Sequence, residues 1–117
     1  MHHDTRHQLG IFGEGLARGW LFAHGWDILE RNWRCPWGEI DLIANDHGTR
    51  VFVEVKTRQT QRFGSGSEAV HYRKQQKIRR AASAYLRNRP SSPCRFDVIS
   101  IAWGSKTPTI THTRDAF

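Results

Sequence analysis

Cysteine is scarce in this chain: two among 117 residues, Cys35 and Cys94, with no C-x-x-C spacing. That excludes a disulfide framework and a thiolate zinc site. It suits reduced thiols in a cytoplasmic protein, with one 35–94 bridge as the alternative. No apolar run approaches the roughly 18–20 residues of a membrane span, so no membrane partner is expected. The opening residues lack the charged and apolar regions of a secretory signal. His2, His3 and His7 lie in a terminus expected to fray, and residues 1–5 read as a solvated tail. The length fits one domain, residues 1–117, and internal repeats are absent.

Acid is the other telling shortage. The formal net charge is +7. Between Ala69 and Arg89 there are seven basic residues and no Asp or Glu. The remaining bases balance the acids, so the whole excess belongs to one segment. A solvated helix face ordinarily alternates sign. A one-signed cluster points instead to phosphate contact, hence to a nucleic-acid partner. Arg73, Lys74, Lys77 and Arg80 are the candidate contacts, with Lys74 and Lys77 foremost, and Arg58 joins them from the preceding segment.

The acids present are grouped in turn. Gly38 to Arg58 reads as a hairpin about Asp46-His47-Gly48. Side chains alternate along a strand, so Glu39 and Asp41 share a face, as do Glu54 and Lys56. Folding the hairpin at its midpoint sets Asp41 opposite Glu54 and Glu39 opposite Lys56. Opposed carboxylates destabilise a sheet. Protonation, a neutralising lysine or a bridging cation would relieve them. Magnesium suits the last, since it commonly takes one or two carboxylates together with water and phosphate oxygens.

Elsewhere, Leu9, Phe12, Leu16, Trp20 and Ala23 have helical spacing over Arg6 to His24, and Gly25 suits a helix end. Four glycines weaken that helix intrinsically, which implies close packing on something. Glu14 lies off this stripe, near Ala17 and Leu21. It reads as a surface acid or as a further carboxylate aimed at the hairpin. Trp26 to Arg34 reads as a strand, followed by a turn in which Trp37 is a base-stacking platform or a lid on the core. Gln59 to Ser67 is a polar loop, either substrate-facing or a plain connector, with Ser65 or Ser67 capping the next helix. That helix runs to about Asn88, with Val70, Ile78, Ala81, Ala82, Tyr85 and Leu86 toward the core, and Pro90 stops it. Strands at Arg95–Trp103 and Thr109–His112 follow. The order gives an α/β fold, a mixed sheet of about five strands flanked by helices.

The runs G-E-I-D-L-I-A, V-F-V-E-V-K-T-R, F-G-S, K-x-x-K-I, A-x-x-Y-L and R-F-D-V-I, with the closing A-F, resemble the YraN-like family of small bacterial proteins. These are regarded as predicted endonucleases related to archaeal Holliday junction resolvases, within the restriction-endonuclease-like PD-(D/E)-x-K class. The resemblance spans about Gly10 to Phe117. It implies an αβββαβ core and magnesium- or manganese-dependent cleavage of DNA in preference to RNA. It makes Asp41 the signature aspartate, Glu54 and Lys56 the (D/E)-x-K pair, and Glu14 the first-helix acid. Asp41, Glu54, Glu14 and the Val55 carbonyl would hold the metal. It also implies a symmetric dimer, since a four-way junction presents two equivalent strands, though no exposed apolar stripe is evident to seal one. Ile40 stands where the signature has proline, and Glu39 is an additional acid. The alternative function is a non-catalytic nucleic-acid-binding module on the same fold.

Overall fold

The computed structural model describes residues 5–59, 70–104 and 106–117, with side chains from Gln8 onward. Helix α1 (Thr5–Ala23) precedes strands β1 (Asp27–Cys35), β2 (Gly38–Asp46) and β3 (Thr49–Gln59). Helix α2 (Tyr72–Leu86) then crosses to β4 (Cys94–Trp103) and β5 (Thr109–Thr113). The five strands form one sheet in chain order. All neighbours are antiparallel except β3 and β4, which run parallel and so need the α2 crossover. The expected mixed sheet with a helix on each face is therefore present. Residues 60–69, which include Ser65, Ser67 and most of the polar loop, lie outside the described residues. The described part of α2 begins at Tyr72, after His71.

Local chemistry sets the element ends. β2 and β3 are joined by His47-Gly48, both with positive φ (51° and 101°), as a two-residue hairpin turn requires. At the end of α1, Gly25 N–H donates to the Phe22 carbonyl and Trp26 N–H to the Leu21 carbonyl. That pair of bonds is a Schellman cap, which satisfies carbonyls the helix leaves open.

The core has two sides. Ala17 and Leu21 of α1 pack with Trp26, Leu42, Ala44, Val51, Val53, Ile99 and Ile101. Ala81, Ala82 and Tyr85 of α2 pack with Ile40, Ile43 and Phe52. Strand β4 alternates as its sequence suggests, sending Ile99 and Ile101 to the first side and Val98 toward Val70 and Ile78 on the second. In α1 the buried line is not the expected one. It runs through Gly13, Ala17 and Leu21, while Phe12 and Ala23 are exposed. Gly13 is the reason. A Cβ there would fall 2.0 Å from Thr57 Cγ2, so only glycine lets the helix lie this close to β3. The displaced line leaves Ile11, Phe12 and Phe22 exposed, which was not expected; Ile11 borders a cavity with Glu14 and Asp41, and the Phe12 ring lies 4.7 Å from that of Trp103.

Asp97 anchors the far half of the sheet. It is fully buried, accepts Arg95 Nε and Nη2 at 2.9 and 3.0 Å, the Asp115 N–H at 3.0 Å, and His112 Nε2 at 2.8 Å. The same imidazole accepts Trp20 Nε1 at 3.3 Å, which sets its neutral tautomer.

Candidate active site at the fork between two strands

Strands β2 and β3 are paired from Asp46↔Thr49 to Leu42↔Val53. Beyond that pair they part. The next residue, Asp41, accepts the Val55 N–H through Oδ2 at 2.8 Å, taking the place a backbone carbonyl would hold in a continuing ladder. The register puts Glu54 next to Val53, so the two acids bracket the fork, but the expected single face of four polar groups does not form: Val53 and Val55 pack on the α1 side, and Glu54 between them turns to Lys74 of α2.

Strict alternation fails here. Ile40 and Ile43, three residues apart, both pack on the α2 side, while Leu42 and Ala44 pack on the α1 side. The irregularity falls at Asp41 and is matched on β1. Pairing passes from Arg31↔Leu42 to Trp33↔Ile40, skipping Asn32, whose φ is +51°. Asparagine tolerates that left-handed geometry better than most residues. Its amide then donates to Glu14 Oε1 at 3.0 Å, tying β1 to α1. Glu14, Asn32, Glu39, Asp41, Val55 and Thr57 line a cavity of about 410 Å³ on the α1 side. Glu14 thus faces the hairpin acids. Asn32 is the participant that the sequence reading passed over. Its signal was an asparagine in mid-strand, a residue depleted there unless the backbone needs it.

The electrostatics follow from this placement. Burial pushes the Asp41 carboxyl up to about 7 from 3.8, with Glu54 as the next cause. The Val55 N–H opposes the rise, and Glu14 and Glu39 add to it. Around neutral pH, Asp41 therefore sits between its two protonation states. Glu54, 8% exposed, is relieved differently: Lys74 Nζ lies 3.2 Å from Oε2. The neutralising lysine thus comes from α2, not from Lys56. Lys56 has no ion pair among the described residues and is half-buried two positions further along β3. Glu39, at the same cavity, has one ion pair among the described residues, with Arg34 at 3.6 Å. Among the described residues, no three His, Cys, Asp or Glu side chains converge tightly enough for a protein-only metal cage.

The basic residues separate. Lys74 is engaged by Glu54, whereas Arg73, Lys77 and Arg80 line a second groove with Trp37 on the α2 side. Arg58 lies on β3 opposite Ala102, away from that groove.

A profile of the family described as Uncharacterised protein family UPF0102 matches residues 13–101, most of the chain. The chain belongs to the UPF0102 family. It is 48% identical to the UPF0102 protein of Frankia casuarinae over 112 residues, covering 93% of this chain and 95% of that one. The Rhodococcus jostii UPF0102 protein is equally similar, 48% over 112 residues with the same coverage. The relative from Bifidobacterium longum is 42% identical over 118 residues, covering 97% and 95%. The UPF0102 match starts at Gly13 and ends at Ile101, so it takes in the α1 contact, the Asn32–Asp41 irregularity, the Glu54–Lys56 strand and the basic helix. Among the described residues no helix is long and apolar enough to cross a membrane.

Proposed function

We propose that this UPF0102 protein is a divalent-metal-dependent endonuclease that hydrolyses phosphodiester bonds in DNA, branched or nicked DNA in particular. One observation carries the reading. The Asp41 carboxyl, beside a strand fork and in a cavity shared with Glu14 and Glu39, is pushed up to about 7 by burial first and then by Glu54, Glu14 and Glu39, while Glu54 itself is met by Lys74. Sites that store unfavourable charge in this way are commonly built for chemistry.

The donor set fits magnesium or manganese. It consists of hard oxygens, few of them from protein, and leaves room for water and phosphate. Asp41 and Glu54 would hold the ion, with the Val55 carbonyl and Glu14 beside them. Such an ion supplies Lewis-acid polarisation of the phosphate and a bound water of lowered pKa. The protein's own groups do the rest. Asp41 would have to lose its proton to hold the ion, so metal affinity should rise as pH passes through about 7. Glu54 would have to exchange Lys74 for the ion, which would leave the lysine free for a phosphate. Lys56, without a competing acid, stabilises charge developing on the phosphoryl oxygens. Asn32 holds Glu14 in place. A pair of such sites related by a two-fold axis would suit a junction, and Ile11, Phe12 and Phe22 offer apolar surface for pairing. Free thiols at Cys35 and Cys94 accord with a cytoplasmic setting.

The test is cleavage of a labelled four-way junction and a nicked duplex with magnesium, by wild type, Asp41→Asn and Lys56→Ala. Both variants should lose cleavage by at least about a hundredfold. Undiminished cleavage by either pure variant sinks the proposal. That no three acids converge among the described residues favours one other reading, a binding module without turnover. It predicts salt-sensitive DNA binding that is indifferent to EDTA, with no cleavage of any DNA structure.

A further inference from the structure

The groove on the α2 side has a composition that the acid cavity does not explain. It has a volume of about 630 Å³ and is lined by Trp37, Arg73, Gln76, Lys77 and Arg80, among others. Trp37 is 48% exposed, unusual for the largest apolar side chain, and it stands on the turn between β1 and β2. The other tryptophans are buried or half-buried. The Arg80 guanidinium lies 5.3 Å from the Trp37 ring centre. Arg73, Lys77 and Arg80 form no ion pair among the described residues, and no acid lines the groove. An exposed indole among unpaired cations offers a π surface and phosphate-binding charge together. That combination is how proteins hold unstacked bases with their backbone. A duplex, whose bases are already stacked, has nothing to offer the indole.

We propose that this groove binds single-stranded DNA, with one unpaired base stacked on Trp37 and its flanking phosphates on Arg73, Lys77 and Arg80. The site lies across the sheet from the Glu14–Asp41 cavity. Lys74, on the same helix as the groove cations, reaches Glu54 of β3. The protein therefore selects DNA that carries an unpaired segment. This substrate choice deepens the nuclease reading, but the binding itself does not require catalysis.

The test is a fluorescence-anisotropy titration in EDTA with three probes: labelled oligo(dT), an abasic oligomer of the same length, and a blunt duplex. Wild type should prefer oligo(dT) to the abasic strand by about tenfold, the scale of one stacked base. Trp37→Ala should bring oligo(dT) down to the abasic level and leave abasic affinity unchanged. Trp37→Phe, which keeps a ring, should retain most of the preference and guards against a misfolded alanine variant. Arg80→Ala and Lys77→Ala should weaken both single strands and flatten the salt dependence. Equal affinity of wild type for oligo(dT) and the abasic strand overturns the proposal, as does an unchanged preference in Trp37→Ala. Equal binding to anionic phospholipid vesicles, with no dependence on bases, also overturns it. Cleavage is scored separately. A Trp37-dependent preference without cleavage of the four-way junction or the nicked duplex in magnesium would leave this site standing and remove the nuclease reading. Turnover without the preference would do the reverse.

Discussion

Replacing Asp41 by asparagine should stabilise the fold at alkaline pH and leave it unchanged in acid. In the native state the Asp41 carboxyl holds its proton up to about 7, against 3.8 when unperturbed. Between those values the folded chain binds more protons than the unfolded one. Stability therefore falls as pH rises through the window and stays lowered above it. About three pH units at roughly 1.4 kcal/mol each set a ceiling near 4 kcal/mol. Water in the adjoining cavity screens part of this, so we expect about 2–3 kcal/mol. Asparagine is neutral at every pH and keeps an oxygen for the Val55 N–H. Urea denaturation followed by tryptophan fluorescence, in EDTA, should place Asp41→Asn about 2–3 kcal/mol above wild type near pH 8.5. The midpoint temperature should rise by roughly 10 °C for a domain of this size. Below about pH 4 the two proteins should coincide. A difference independent of pH, or a variant less stable than wild type at pH 8.5, would refute the charge-storage argument.

Further outcomes follow from the same geometry. Lys74→Ala takes from Glu54 the cation that meets it beside Asp41, so the stability loss with rising pH should be larger and extend to higher pH, measurable in the same titration. Asp97→Ala takes the carboxylate from His112 and leaves Arg95 with Asp46 alone among the described carboxylates, and should cost about 3–5 kcal/mol by denaturation. Burial acts to raise the Asp97 carboxyl, but His112, Arg95 and the Asp115 N–H outweigh it and hold it below 3.8. Its contribution is thus complete above about pH 4 and lost as pH falls further. Gly13→Ala should cost about 1–3 kcal/mol through the clash with Thr57 Cγ2, and Thr57→Ser in the same chain should restore much of it.

The sheet was legible because its strands carry their own punctuation. His47-Gly48 forces a two-residue turn, and the alternation of Phe96, Val98 and Ser100 with Asp97, Ile99 and Ile101 survives intact. The acids at 41 and 54 could be aligned from the midpoint of the hairpin for the same reason. Three features were not legible. The face of α1 depends on a glycine contact with Thr57, and a glycine carries no hydrophobic signal. The kink at Asn32 and Asp41 breaks a rule that the sequence otherwise obeys, and it appears only once β1 and β2 are paired. The partner of Glu54 comes from α2. A lysine at the next alternate position of the same strand looked better placed, but Lys74 reaches from across the fold. Long-range pairings of this kind depend on how helices dock, which local patterns do not encode.

The central claim is that the fork between β2 and β3 is a divalent-cation site for phosphodiester chemistry. Crystals grown with a single-stranded or nicked oligonucleotide and soaked in manganese measure it directly. An anomalous peak roughly 2.0–2.6 Å from oxygens of both Asp41 and Glu54, lost in Asp41→Asn, is the predicted result. A well-ordered fork with bound oligonucleotide and no anomalous signal at those oxygens would contradict it.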